Sequence, residues 1–322
     1  MRKLLLGTTA LAAAATLSAN AALADVSISG YYEWKAISQS SNISTQDGTS
    51  FSSDSEIYFK FSNKTDSGLD IGMVAELSSD QGEGSMDETS ISISGGFGKL
   101  ILGGNDGAQE DFGVAASDLI GEEDSPTSTT AGINIKNADV ANLAGNDNKI
   151  SYHLPAMGGL TAGISYADSG ADGNADTTAV GFKYGMEAGG ASITIGAASG
   201  TTENSTQDID SQVVGVKVSS GNISAIVSQA TYEASGADEE SNGAAVSFKM
   251  SDAMTLTAYT AETDDSSDSE EYTNTGVEVA YTIASGLTAT VTVEDYDYKI
   301  GSYSTGTADS GTKSKLTIKA SF

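Results

Sequence analysis

The sequence predicts an all-β chain, closed as a sixteen-stranded antiparallel barrel that spans a membrane. Three observations lead there. After residue 24, sixteen segments alternate apolar residues with small or charged ones at period two. The links between them alternate between tight turns rich in Gly, Asn, Asp and Pro and long polar, acidic stretches. No segment beyond the N-terminus approaches the roughly 18 consecutive apolar residues of a spanning helix. In lipid every backbone N–H and C=O must be paired within the protein, so a sheet with an apolar outer face has to close on itself.

Residues 1–24 read as a secretory signal peptide. Arg2 and Lys3 form the charged region, Leu4 to Leu17 the apolar stretch, and Ala22, Leu23 and Ala24 the cleavage site. Cleavage after Ala24 leaves a single barrel domain, residues 25–322. It removes Arg2, the chain's only arginine, and Lys3, so 13 lysines face 44 acids at a net charge of −31. A surface this acidic repels nucleic acid. With no cysteine, disulfides, thiol catalysis and cysteine metal sites are excluded, and stability must come from burial or from a closed sheet.

The first segment, residues 26–37, puts Ile28, Tyr32 and Trp34 on one face and Ser29, Glu33 and Lys35 on the other. In residues 54–61, Ile57, Phe59 and Phe61 alternate with Asp54, Glu56, Tyr58 and Lys60; residues 69–78 repeat the pattern. A pair at 88–104 turns at 95–98. After a long gap come 149–154, 160–167, 179–186, 192–198, 212–218, 223–232, 244–250, 255–261, 276–283, 287–294 and 313–322. In the last, Leu316, Ile318, Ala320 and Phe322 share one face, and Lys313, Lys315, Thr317 and Lys319 the other. The segments read as about seven to eleven residues, close to what a tilted spanning strand needs. Short links fall at 65–68, 95–98, 155–159, 188–190, 219–222, 251–253 and 284–286. Long acidic ones fall at 168–176, 201–210, 233–242, 263–271 and 297–310. A soluble sandwich or solenoid would need a second apolar face, and here that face is small or charged. An even strand number puts both termini on one side, and sixteen strands enclose a water-filled lumen.

Two stretches carry a family likeness. One is TDSGLDIG over residues 65–72; the other is SGGFGKLILG over residues 94–103, leading into the third long loop. With the opening VSISG at 26–30 and the terminal Phe322, the chain resembles the general diffusion porins of alphaproteobacteria, the Rhodobacter type. The likeness is one of motifs over roughly the first third of the mature chain and of pattern beyond it.

The resemblance implies an outer-membrane trimer through which small hydrophilic solutes diffuse, narrowed by a third loop folded inward. The gap at 105–147 sits where that loop belongs and carries Asp106, Glu110, Asp111, Asp118, Glu122, Glu123 and Asp124. The family sets such acids against a basic wall cluster, often of arginines. This chain departs from that pattern: it has no mature arginine, and its second strand offers Asp54 and Glu56. Lysines of inward parity, Lys60, Lys183, Lys217, Lys249, Lys315 and Lys319, are the expected positive wall. Acids on the loop and on the second strand lead to an expected cation preference. The resemblance also implies lipid and lipopolysaccharide contacts. It makes Phe322, at the end of the last strand, a signal for the barrel-assembly machinery.

The acid clusters at 122–124, at 238–240 and at Asp264, Asp265, Asp268, Glu270 and Glu271 offer the oxygen donors calcium takes, without any EF-hand spacing. Solvated, self-repelling loops explain them better, and no cofactor is required. The single His153 has no nucleophile nearby in sequence and reads as a wall or turn residue, so catalysis is not expected. Tyr32, Trp34, Phe59, Phe61, Tyr166, Phe182, Phe248 and Phe322 read as outward aromatics rather than a sugar-stacking track. A substrate-selective channel of the same fold and a plugged structural or adhesive barrel are the alternatives to a diffusion channel.

Overall fold

A computed structural model describes residues 25–43, 47–78, 85–120, 133–139, 141–168, 175–203, 208–267, 270–299 and 308–322. The signal segment 1–24, the loop acids Glu122, Glu123 and Asp124, and Asp268 lie outside these residues. The described residues form sixteen strands: β1 (Asp25–Ser41), β2 (Gly48–Lys64), β3 (Asp70–Ser78), β4 (Ser85–Gly95), β5 (Gly98–Gly104), β6 (Asn148–His153), β7 (Leu160–Ala167), β8 (Asp176–Ala188), β9 (Ala191–Glu203), β10 (Asp208–Ser220), β11 (Ile223–Ala234), β12 (Ala237–Ser251), β13 (Met254–Asp265), β14 (Glu270–Ala284), β15 (Leu287–Lys299) and β16 (Asp309–Ser321). Each pairs antiparallel with its chain neighbours, and β1 pairs with β16 to close the barrel. Each of the sixteen predicted segments falls on one of these strands, with Leu69, Leu154 and Phe322 one residue outside.

The closing seam runs from Tyr31↔Ser321 to Ser41↔Gly311. At its lower end Gly30 N–H donates to Phe322 O at 2.9 Å, and Phe322 N–H returns a bond to Gly30 O at 3.0 Å. The ladder therefore runs to the last residue. Inside the seam, Glu33 is 2% exposed and receives Lys35 from its own strand at 2.9 Å and Lys319 from β16 at 3.2 Å. An anion buried this deeply needs such partners.

Alternation sorts the faces as predicted. Val180, Phe182, Val214, Val227, Val246, Phe248, Val277 and Val291 point outward. Tyr32, Phe61, Tyr166 and Phe322 are outward and exposed, and Trp34 stacks on Phe51 with ring centroids 5.4 Å apart. The tight turns stand where predicted; in the β8–β9 turn, Gly189 and Gly190 take consecutive positive φ values of 62° and 81°, which two-residue hairpins favour.

Two expectations are corrected. Most strands are longer than eleven residues, and β1 and β2 reach 17. The predicted loop at 233–242 is almost all strand: β11 and β12 pair to Ala234↔Ala237, which puts Asp238, Glu239 and Glu240 on a sheet. The predicted loop at 263–271 likewise shrinks, because Asp264 and Asp265 end β13 and pair with Glu271 and Glu270. The polar composition that suggested loops reflects hairpins rising past the apolar band, where both faces meet water and pairing still satisfies the backbone.

Deleting Phe322 removes both hydrogen bonds to Gly30. The expected outcome is a lower yield of heat-modifiable barrel in the membrane fraction at unchanged synthesis, read by semi-native electrophoresis.

Candidate functional site: a loop folded into the barrel

The described parts of the 105–147 segment between β5 and β6, residues 105–120, 133–139 and 141–147, enter the barrel. Its first element, α1 (Ala108–Phe112), continues into a 3-10 turn at Ala116–Leu119. The sequence here is two-faced. Ala108, Gln109, Phe112, Val114, Ala115 and Ala116 are buried against the inner wall, whereas Asp106, Glu110 and Asp118 remain exposed to the lumen.

What lets the loop lie flat is the absence of side chains on the wall. A Cβ at Gly181 on β8 would lie 2.7 Å from Phe112 Cβ. One at Gly196 on β9 would lie 2.4 Å from Val114 Cγ2, and one at Gly215 on β10 would lie 2.1 Å from Val114 O. Alanines fill the neighbouring inward positions: Ala179 clusters with Ala108 and Phe112, Ala198 and Ala230 share a cluster with Ala115, and Ala245 shares one with Val114 and Ala116. Burial of Phe112 and Val114 in this track contributes about 1.5–3 kcal/mol each.

The return limb, residues 133–139, is held by polar bonds. The Glu239 carboxylate accepts the backbone N–H of Asn134 at 2.8 Å and of Ile135 at 2.9 Å. Ser241 Oγ accepts Ala138 N–H at 2.9 Å, and Thr263 donates to Ile135 O at 3.1 Å. Asn274 Nδ2 donates to Asn137 Oδ1 at 2.6 Å. Beneath this limb Ile133 covers Tyr272, Tyr296 and Tyr298. Strands β7 to β15 thus carry a second layer of chain.

Asp111 turns from the lumen to His153 on the β6 wall, with its Oδ2 3.0 Å from Nε2, and Phe112 meets the same imidazole edge-on. Enclosure inside the barrel pushes the Glu110 carboxyl up to about 7. Asp139, Asp106 and Asp118 add to that, and Lys183 opposes it. Asp106 is raised by the same enclosure and then by Asp111.

The predicted wall residues do not converge on one basic patch. By strand order, the wall across from the loop is β16 and β1–β4. Tyr31 donates to Asp54 at 2.9 Å there, Tyr58 donates to Glu56, and Lys60 sits 5.2 Å over the Tyr58 ring. Lys319 stands between Glu33 and the Tyr31 ring, at 3.9 Å from the ring centroid. Lys315 is buried on β16. Lys183 and Lys217 lie on β8 and β10, on the loop's own side. Lys249 shares the inward parity of Ala245 and Ser247 but sits at the rim beside the β12–β13 turn, paired with Asp252 at 3.0 Å. Of the calcium candidates, Asp265 and Glu270 are cross-strand partners buried on the inner face, whereas Asp264 is exposed on the outer face.

Sequence reasoning overlooked Glu76 and Asp87, whose carboxylate oxygens lie within 4.8 Å of one another and of Glu56. The register shift between Ala75 and Leu77 brings them together, and alternation alone does not reveal a bulge. Lys149 and Glu239, both of which hold the loop, were also missed. The run of Gly, Ala and Ser at inward positions of β7–β12 was the available signal for the loop's bed.

The family model for the Gram-negative porin matches residues 7–301. The chain belongs to the Gram-negative porin family. Solved structures share the fold at low identity. The anion-selective porin from Comamonas acidovorans matches at 16% identity and a TM-score of 0.67, covering 93% of this chain and 100% of that one. A mutant of the Rh. blastica porin matches at 16% and 0.68, covering 92% and 100%. The trimer form of OmpT, an outer membrane protein of Vibrio cholerae, matches at 14% and 0.67, covering 93% and 99%. No curated protein matches by sequence. This porin is therefore an outer-membrane β-barrel.

Two outcomes are expected. Gly215→Ala, whose new Cβ meets the Val114 carbonyl, costs about 1–3 kcal/mol and lowers the temperature at which the barrel becomes heat-modified. Gly185→Ala does not, since its nearest neighbour would be 4.0 Å away. Glu110 gains its charge as pH rises through about 7, so any cation preference should be weaker at pH 6 than at pH 8, and Glu110→Gln should flatten that step in reversal-potential measurements. The sign for stability is opposite. The folded barrel holds this proton more tightly than the unfolded chain, so the contribution is full below the ordinary carboxylate range and is lost as pH rises through about 7.

Proposed function

We propose that this porin is a non-catalytic, trimeric diffusion channel for small hydrophilic solutes, with a preference for cations. It is exported by a signal cleaved after Ala24, and Phe322 is read by the assembly machinery. The observation that carries the reading is the acidic face of the inward loop: Asp106, Glu110 and Asp118 look into the lumen while the loop's apolar face lies on the wall. The wall across from it adds Asp54, Glu56, Glu76 and Asp87, and its lysines are partly neutralised, Lys319 by Glu33. Fixed carboxylates at a narrowing act over a distance comparable to the Debye length, about 8 Å at physiological salt, so their field reaches across it. The channel needs no cofactor.

The relative from Comamonas acidovorans is named as anion-selective. The fold is therefore compatible with anion selectivity, and the cation reading rests on this chain's own lining charges. The trimer form named for the Vibrio cholerae protein supports the assembly state.

The test is single-channel recording of the mature protein in a planar bilayer under a KCl gradient. Conductance in steps of three with a cation-selective reversal potential is expected. Anion selectivity would overturn the charge reading. Insertion without conductance would overturn the channel itself in favour of a plugged structural or adhesive barrel.

A further inference from the structure

The glycine track explains how the loop lies on the wall, but not what fixes the place where it leaves the wall. That place is a neck at which the outgoing chain, residues 105–109, crosses the returning chain, residues 142–146. Asn142 Nδ2 donates to Asp106 O at 3.1 Å, and Leu143 N–H donates to Gln109 Oε1 at 3.2 Å. At the crossing stands Lys149, on the inner face of β6 and 4% exposed. Its ammonium donates to Asn105 O and Asp106 O on the outgoing limb, the latter at 3.2 Å, and to Gly145 O on the returning limb. An ammonium has three donors, and here all three are used.

The surroundings are shaped for this one side chain. Gly107 has φ +84°, and a Cβ there would lie 3.1 Å from Lys149 Cδ and 2.9 Å from Ser165 Oγ. Asn105 is fixed from both sides: its Nδ2 donates to Gly103 O, and its Oδ1 accepts from Ser151 Oγ, each at 2.8 Å. Ser165 Oγ accepts Ala108 N–H at 3.0 Å. Asp106, one of the acids facing the lumen, therefore depends on Lys149 for the position of its own backbone.

We propose that Lys149 is the positioning residue that sets the clearance of the pore: it staples the two limbs of the inward loop together at the wall and so fixes how far the acidic face stands into the lumen. It touches no solute and acts through Asn105, Asp106 and Gly145. The proposal rests on the channel reading above.

Lys149→Met removes the donors and leaves three carbonyls facing each other. The experiment is liposome swelling with neutral sugars of increasing size, run beside single-channel recording at high salt. Lys149→Met should admit larger sugars than the unaltered protein, raise mean conductance by about twofold and add open-state flicker. Lys149→Arg should fall between, since it keeps the charge but its planar fork does not match three carbonyls from two limbs. Lys64→Met, at the β2–β3 turn in an exposed pair with Asp70, loses the same charge far from the neck and should leave the sugar cutoff unchanged. Asn142→Ala loosens the same crossing without a charge change and should shift the cutoff the same way by less, which keeps the test open if Lys149→Met fails to assemble.

An unchanged sugar cutoff in assembled Lys149→Met, with only ion selectivity altered, would overturn the staple and leave an electrostatic role. A lowered heat-modification temperature with an unchanged cutoff would overturn it in favour of plain stability. If the unaltered protein fails to conduct, the channel reading fails first, independently of Lys149.

Discussion

The whole molecule depends on one constraint: every backbone donor and acceptor at membrane depth has to find its partner within the protein. An open sheet leaves two edges unpaired, and here the edges are β1 and β16, which pair with each other up to the terminal residue. Once that seam is made, each strand can spend one face on lipid and the other on the interior. The seam also carries its own ionic reinforcement, since Glu33 on β1 is neutralised from β16 by Lys319.

Closing the sheet creates an interior with nothing to fill it. The chain solves this on one side only. Along β7–β12 many inward positions are Gly, Ala or Ser, and the third loop fits into the space they leave. Across from it, β16 and β1–β4 keep long side chains, with tyrosines and carboxylates in mutual contact. The aqueous path is bounded by chemically different walls, one a backbone-anchored loop carrying carboxylates and the other the barrel itself. Enclosure inside the barrel raises the proton affinity of the loop acids Asp106 and Glu110.

The fold was legible because period-two alternation and turn residues are local signals. Strand count, turn positions and outward aromatics such as Phe182 and Phe248 follow from them. The ends of the strands were less legible: Asp238, Glu239 and Glu240 look like a loop when water is available to both faces, and only the pairing partner reveals a strand. At the candidate site the sequence marks the inward loop and its acids, but not their contacts. Parity places Lys183, Lys217 and Lys319 on the inner face, yet it does not tell which wall a strand belongs to. Lys149 was passed over because its role lies in three backbone carbonyls, and a carbonyl has no letter in the sequence. The same holds for Glu239, whose task is to accept two backbone N–H groups from a segment about a hundred residues away.

The double layer has a mechanical meaning. A barrel with a single wall can flatten under lateral pressure, because its strands shear past one another without breaking many contacts. Along β7–β15 the inner layer bridges several strands at once, with Val114 spanning β9 and β10 and residues 133–138 tied to β12, β13 and β14. That half is braced like a rib bonded to a shell. Among the described residues, the arc of β16 and β1–β3, where tyrosine and carboxylate side chains stand, carries no such rib. Bilayer tension would therefore change the shape of the aqueous path more readily from that arc than from the ribbed half.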